Sequence, residues 1–314
     1  MNFVILGAGA MGSLFGGYLA EAGVNVTLVD INEAHIEAIK KNGLQLDRGD
    51  GPRTVRVNAT TDPTEVAPAD MVIVFCKYLS TDRALNSARP YLRPSTYIWT
   101  LQNGIGNVEI IEEHASQDRI AKGFTSATGI ILGPGMVGTN FKGQTETYYW
   151  PLDGERHEAL ESAAELLTNA GLPTYSAPDM DYRIWRKLVI NTTLTVLSGA
   201  MNTRIGAVYF NAAGKTLCRA IVEEVVAVAQ AAGVPLEMDD ALAYLDQLAN
   251  SAVDHIGSTT VSLQKHELTE IDTMNGAVVR EGRKRNVPTP VNETIARMIK
   301  LTEETSSVRL QPSI

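Results

Sequence analysis

The chain begins Met1-Asn-Phe-Val-Ile-Leu-Gly7-Ala8-Gly9-Ala10-Met11-Gly12, an apolar run emptying into three glycines at G-x-G-x-x-G spacing. The run from Phe3 to Leu6 reads as a buried strand, and Met11 to Ala22, rich in small residues, as the helix that follows. A strand joined to a helix by such a turn starts a βαβ unit. Gly7 allows the tight turn, Gly9 lets the backbone approach a pyrophosphate, and Gly12 lets the helix pack on the strand. The N–H groups at the positive end of that helix would hold the anion. The next strand closes on Val26-Thr-Leu-Val-Asp30, with Asp30 18 residues beyond Gly12, where a carboxylate can accept hydrogen bonds from a ribose. Gly7, Ala8, Gly9, Ala10, Met11, Gly12 and Asp30 are therefore expected to bind a dinucleotide.

Asp30 also bears on which dinucleotide. A 2′-phosphate is an anion that a carboxylate repels, and its usual partner is an arginine. No Arg or Lys occurs between Met1 and Ile39; the first are Lys40 and Lys41. NAD(H) is the favoured expectation, and NADP(H) stays open if Lys77 or a distant arginine decides the choice.

Beyond the opening, strand and helix patterns alternate: strand Asn25–Val29, helix Glu33–Lys41, then a polar stretch. Met71-Val-Ile-Val-Phe-Cys76 follows as a fully buried parallel strand, then a helix over Ser80–Ala88 and a strand over Ser95–Leu101. Alternation of this kind predicts a doubly wound parallel sheet. A helix is expected over Asn107–His114. Ile120 to Trp150 is rich in glycine and β-formers, suggesting antiparallel or edge strands; a helix (His157–Ala170) and a short strand (Pro173–Ser176) close the domain. From there the periodicity is helical: Asp181–Leu197, Lys215–Ala232, Met238–Ser251, Ser262–Arg285 and Glu293–Thr305. Gly171-Leu-Pro173, Gly233-Val-Pro235 and Asn286-Val-Pro288 punctuate helix ends. The fold class is α/β, a Rossmann-type doubly wound parallel sheet over residues 1–178 followed by an all-helical domain over 179–314.

At 314 residues each domain can bury its own core. A net charge of −9 argues against nucleic acid as a partner. Cys76 and Cys218, on a strand and a helix, are expected as free buried thiols, and the five histidines form no metal-binding pattern, so no metal is expected. The apolar start is too short to span a membrane and lacks a basic flank, which points to a cytoplasmic protein without a membrane partner. The stretch Ile221–Val228 could equally face a second copy or fill a core; monomer and homodimer both stay open.

Chemistry needs residues beyond the dinucleotide turn. Asn103 follows a strand at the carboxyl edge of the sheet, where its amide could polarise a carbonyl or hold a ribose; Asn103-Gly104 also reads as a plain turn. Lys187, Asn191 and Thr195 fall at i, i+4 and i+8 on a helix whose neighbours Leu188, Val189, Ile190 and Leu194 are apolar. A lysine buried there would suit a general acid for a ketone oxygen, whereas one at the helix edge would reach solvent. Glu267, Glu270 and Asp272 crowd one stretch. Charged helix faces usually meet water, but one carboxylate turned inward could orient Lys187.

Together these residues resemble the ketopantoate reductase (2-dehydropantoate 2-reductase) family. The likeness runs end to end: Gly7-x-Gly9-x-x-Gly12, Lys77, Gln102-Asn103-Gly104, Trp185-Arg186-Lys187-Leu188-x-x-Asn191, Thr269-Glu270-Ile271-Asp272-x-x-Asn275-Gly276 and Val287-Pro288-Thr289-Pro290-x-Asn292. The resemblance implies reduction of a 2-oxo acid to the (R)-2-hydroxy acid. Lys187 would be the proton donor to the C2 oxygen and Glu270 its hydrogen-bonding support. Asn103 and Asn191 would position substrate and cofactor, and Lys77 would line the cofactor site.

Three departures bear on cofactor and substrate. Asp30 stands where NADP-preferring members usually carry a nearby arginine. Thr195 stands where a second asparagine commonly follows Asn191. The serine that commonly precedes the glutamate by 12 residues is matched either by Ser258 at that spacing or by Ser262 in the similar Ser262-Leu-Gln264 run. Three missing residues would alter helix phase by about 300°, so the two serines are not expected to be equivalent. Ketopantoate is the default substrate. The alternative is an NAD-dependent D-2-hydroxy acid dehydrogenase acting on branched or aromatic 2-oxo acids. A dinucleotide-binding regulator without catalysis is a third reading, which the presence of both Lys187 and Glu270 opposes.

Overall fold

Apolar strands alternate with helices through the first unit of the computed structural model, in which residues 1–139 and 145–308 are described. In chain order these are β1 (Asn2–Leu6), α1 (Ala10–Glu21), β2 (Asn25–Val29), α2 (Glu33–Asn42), β3 (Leu44–Asp47), β4 (Pro52–Val55), β5 (Asn58–Thr60) and β6 (Met71–Val74). There follow α3 (Thr81–Ser87), β7 (Tyr97–Thr100), α4 (Asn107–Ile111), β8 (Ile120–Thr125), β9 (Ile130–Gly133), β10 (Met136–Gly138), β11 (Thr147–Pro151), α5 (Glu158–Asn169) and β12 (Thr174–Ser176).

The main sheet runs β12-β11-β8-β7-β6-β1-β2-β5. Every neighbouring pair from β8 to β5 is parallel, whereas β11 is antiparallel to β8. Strand order reverses between β1 and β6, so a ligand-binding crevice is expected at their carboxyl ends, where Gly7 and Cys76 follow. Alternate side chains of one strand feed opposite cores. Phe3 and Ile5 pack with Leu14, Phe15 and Trp99 on one face; Val4 and Leu6 pack with Val72, Val74 and Ile98 on the other. A strand buried on both faces has to be apolar throughout, which is why β1 and β6 carry no polar residue between Phe3 and Leu6 or between Met71 and Val74.

The second unit begins at Asp181, takes in Asn103–Gly106, and is helical among its described residues. It contains α6 (Met180–Ile190), a π turn (Asn191–Thr195), α7 (Val196–Ala200), α8 (Ile205–Tyr209), α9 (Ala212–Ala231), α10 (Met238–Ser251), α11 (Ser258–Gln264), α12 (Asn275–Arg285) and α13 (Pro290–Glu304). Helix α9 is its core element: Cys218, Ile221, Val222, Val225, Val226, Val228 and Ala229 are buried at helical spacing. The Ile221–Val228 stretch is thus core. Gly233 after α9 (φ +82°) and Asn286 after α12 (φ +57°) take the left-handed conformation that ends a helix. Cys76 is half-buried and Cys218 buried, both as free thiols. Among the described residues no helix is long and apolar enough to cross a membrane.

Three stretches depart from the sequence reading. The polar segment after α2 contains β3, β4 and β5; the first two join β9 and β10 in a second sheet, ordered β4-β3-β10-β9. These strands are short and half-exposed, so their apolar runs are too brief to register. The helix expected over Ser262–Arg285 is two helices, with α11 closed by Lys265 and His266, the latter at φ +56°. The helix expected over Asp181–Leu197 is interrupted by the π turn. The strand-rich region expected over Ile120–Trp150 resolves into β8 to β11, its residues 140–144 lying outside the described ones.

Candidate active site

The glycine turn of the sheet unit lies between β1 and α1. Gly7 leaves β1 at φ +101°, a conformation other residues rarely adopt, and its N–H donates to Val29 O at 2.8 Å. A Cβ on Gly7 would lie 2.5 Å from Cys76 N, and one on Gly12 only 1.9 Å from Gly7 O. Around Gly9, in contrast, a Cβ would meet nothing within 4 Å. This open space adjoins the start of α1, which has no side-chain cap and no acidic residue in its first turn. Orphan N–H groups beside an open approach fit a bound pyrophosphate. Ala10 and Met11 begin the helix there.

Asp30 follows β2 half-buried; its Oδ1 accepts from Asn32 N at 2.9 Å, which orients the carboxylate at the carboxyl end of the strand. Lys77 is exposed immediately after β6 and precedes a short 3-10 turn, Tyr78–Ser80. Gln102, buried at the end of β7, donates through Nε2 to Cys76 O (2.6 Å) and Thr81 Oγ1 (2.8 Å), so it braces the loop that carries Lys77.

His35 has no signal in the sequence beyond a lone histidine on an amphipathic helix, yet it joins this turn. It is 4% exposed, and its Nδ1 accepts from Gly135 N at 3.0 Å. The proton therefore belongs on Nε2, which donates to Ser13 Oγ at 2.9 Å, and Ser13 donates to Ala8 O at 2.7 Å. Burial lowers the His35 pKa, with the Asp30 carboxylate opposing. A neutral imidazole thus ties the β9–β10 hairpin to the backbone between Gly7 and Gly9.

The helical unit brings Lys187, Asn103 and Glu270 together. Lys187 on α6 donates from Nζ to Asn103 Oδ1 at 3.0 Å, and Asn103 Nδ2 donates to Glu270 Oε2 at 3.1 Å. The sequence suggested a carboxylate pairing with the lysine; the Asn103 amide bridges the two. Burial pushes the Lys187 pKa down to about 8, and the Glu270 charge partly opposes that fall. A lysine poised there can give up a proton near neutral pH. Asn103 is held by its chain neighbours: Gly104 has φ +81°, Ile105 N donates to Thr273 O at 2.9 Å, and Arg280 Nη2 donates to Ile105 O at 3.1 Å. Of the crowded acids, Glu270 turns inward, Asp272 pairs with Lys300 at 2.6 Å, and Glu267 is exposed.

Asn191 is half-buried at the start of the π turn and Thr195 is buried at its end. Ser258 and Ser262 lie four residues apart on α11, so they share one face about 6 Å apart along the axis. Ser258 is exposed and Ser262 half-buried. Helix α11 starts against the π turn, since a Cβ on Gly257 would lie 3.2 Å from Thr195 Cα. Arg186, beside the lysine, has a structural part: it grips Asp240 through Nε (3.0 Å) and Nη2 (3.2 Å) and stacks on Tyr244 at 3.9 Å.

Family models described as Ketopantoate reductase PanE/ApbA and its C terminal match residues 3–153 and 179–303. A 2-dehydropantoate 2-reductase of Streptococcus pyogenes serotype M3 is 30% identical over 310 residues, spanning 98% of this chain and 100% of the relative. A crystal structure of a PanE/ApbA family ketopantoate reductase from Ralstonia eutropha JMP134 is similar with a TM-score of 0.89 at 30% identity, covering 98% of this chain and 100% of its own. The ternary structure of D-mandelate dehydrogenase with NADH and anilino(oxo)acetate is similar with a TM-score of 0.92 at 28% identity, with the same coverages.

Proposed function

Because this chain belongs to the ketopantoate reductase family, we propose that it reduces a 2-oxo acid to the (R)-2-hydroxy acid, with conversion of ketopantoate to pantoate as the expected reaction. The observation that carries this reading is the hydrogen-bonded chain from Lys187 through Asn103 to Glu270, with the lysine pKa near 8. The sheet unit takes the dinucleotide and the helical unit the oxo acid. When bound, the reduced nicotinamide supplies the hydride to C2. Lys187, protonated below about pH 8, donates its proton to the C2 oxygen as that oxygen gains negative charge, and is reprotonated from solvent. Asn103 accepts from the lysine and keeps its Nζ directed, while Glu270 holds the amide and maintains the ammonium form.

The open space at Gly9, the uncapped start of α1 and the Gly7 turn fit the dinucleotide, and Asp30 with no basic residue before Lys40 favours NAD(H) over NADP(H). Lys77 lines the cofactor site; Asn191, Thr195, Ser258 and Ser262 contact substrate in this reading. A cytoplasmic enzyme acting as monomer or homodimer is consistent with it.

A second reading has one specific support. Thr195 replaces a longer amide with a hydroxyl, and D-mandelate dehydrogenase is a structural relative. An NAD-dependent D-2-hydroxy acid dehydrogenase acting on branched or aromatic 2-oxo acids would lack a polar partner for ketopantoate's 4-hydroxyl, which costs affinity for the hydroxylated substrate. Steady-state oxidation of NADH and NADPH with ketopantoate, beside a panel of branched and aromatic 2-oxo acids, tests both. Highest kcat/KM for NADH with ketopantoate is the expected result, and preference for a bulkier apolar acid selects the second reading. NADH binding without turnover of any 2-oxo acid would overturn both.

A further inference from the structure

Helix α6 keeps α geometry to Ile190, widens into the π turn over Asn191–Thr195, and returns to α geometry in α7. A π turn bonds i to i+5, so carbonyls at its edges lose their regular partners and need others. Two are met from within: Thr192 Oγ1 donates to Leu188 O at 2.8 Å and Thr193 Oγ1 to Val189 O at 2.6 Å. The Thr192 carbonyl is met from outside the helix, by Asn275 Nδ2 at 3.1 Å. Asn275 opens α12 fully buried, and its Nδ2 also donates to Asn292 Oδ1 at 2.9 Å. Asn292 on α13 is equally buried and donates to Glu224 Oε2 on α9 at 2.7 Å, while the Glu224 carboxylate also takes the N–H groups of Val291 and Asn292. A buried polar relay therefore runs from α9 through α13 and α12 to one carbonyl of the π turn.

We infer that Asn275 is a positioning residue: it holds the π turn open and so sets which side chains share the face of Lys187. At about 100° per residue, an unbroken α-helix would place Thr195 about 80° around the axis from Lys187. The π turn advances less per residue and brings Thr195 back toward the line of Lys187 and Asn191. The consequence is chemical because Thr195 differs from its neighbours. Its side chain is 7% exposed, yet its hydroxyl bonds to no described residue, while those of Thr192 and Thr193 fold back onto the helix. The relay thus places a hydroxyl that bonds to no described residue on the face of the proton donor. This assignment rests on the reading that the helical unit takes the 2-oxo acid.

The test compares Asn275→Ala with wild type in the full chain. The KM for the preferred 2-oxo acid should rise at least about tenfold, with a smaller change in kcat and an unchanged Kd for NADH. In a Thr195→Val background the same substitution should raise KM far less, because both changes act through one hydroxyl. Unchanged KM with a lowered melting temperature, or effects of Asn275→Ala and Thr195→Val that multiply independently, would overturn the inference. If Asn275→Ala does not fold, the double variant Thr192→Val, Thr193→Val removes the supports of the same turn from within and should show the same rise in KM; unchanged KM there has the same negative meaning. Wild-type protein inactive on every 2-oxo acid removes the functional reading and this inference together, whereas active wild type beside unaltered variants removes this inference alone.

Discussion

At the scale of the residue, Lys187 is where burial becomes chemistry. An ordinary lysine holds its proton to about pH 10.4 and is a poor acid at neutrality; burial brings this one to about 8, and the charge of Glu270 stops it falling further. In the proposed reaction the ammonium is the active form for reduction, so kcat/KM should fall as pH rises through about 8, while oxidation of the hydroxy acid, which needs the neutral amine, should rise through the same range. Replacing Glu270 by Gln removes the opposing charge and should move both limbs to lower pH. Lys187→Ala should lower kcat by about 10²- to 10⁴-fold with NADH binding intact, a comparison that pairs steady-state rates with fluorescence titration. Wild-type turnover in that variant would remove the lysine from the acid role. Candidates such as Lys187 were legible because an apolar helix stripe makes any charge within it conspicuous. The bridging place of Asn103 was not, because a hydrogen bond across 84 positions is invisible to local pattern.

At the scale of the element, the glycine turn separates two roles that the G-x-G-x-x-G spacing alone cannot. A Cβ at Gly12 would collide with the Gly7 carbonyl, which cannot retreat without moving β1, so Gly12→Ala should lose both stability and NADH binding. A Cβ at Gly9 meets nothing within 4 Å beyond its chain neighbours, and Gly9 has φ −67°, outside the left-handed region that requires glycine. Gly9→Ala should therefore keep its melting temperature within about 2 °C yet weaken NADH binding at least about tenfold. Calorimetry and titration on the two variants check the contrast; equal loss of stability in both would deny Gly9 its place against the cofactor. Long elements with one strong period, such as β1, β6 and α9, were readable because their burial is uniform. The strands β3 to β5 and the break between α11 and α12 were not: short edge strands bury too little to show a period, and the left-handed conformation of His266 after α11 leaves no mark in the helical periodicity.

At the scale of the whole molecule, the two units have separate cores, one on each face of the sheet in the first and one around α9 in the second. Asp30 belongs to the first unit and Thr195 to the second. Asp30→Ala should shift preference toward NADPH by about tenfold or more, and Thr195→Asn should alter the ranking of 2-oxo acids. Combined, their effects on kcat/KM should add to within about 0.5 kcal/mol. A larger coupling in a double-mutant cycle would mean that cofactor choice and substrate choice are linked through the protein.

What the sequence by itself determined is the class of the molecule: the parallel sheet, the helical second half, and the glycine turn that joins the first strand to the first helix. Each of these depends on short-range periodicity or on a few residues adjacent in the chain, and such information survives in a linear string. Only the tertiary structure decided how those residues act together. The Asn103 amide between Lys187 and Glu270, the neutral His35 bracing the glycine turn, and the Asn275 side chain bonded to a carbonyl of the π turn each join positions far apart in sequence. Buried polar groups must find partners wherever the folded chain brings them, and burial rather than residue type sets their protonation.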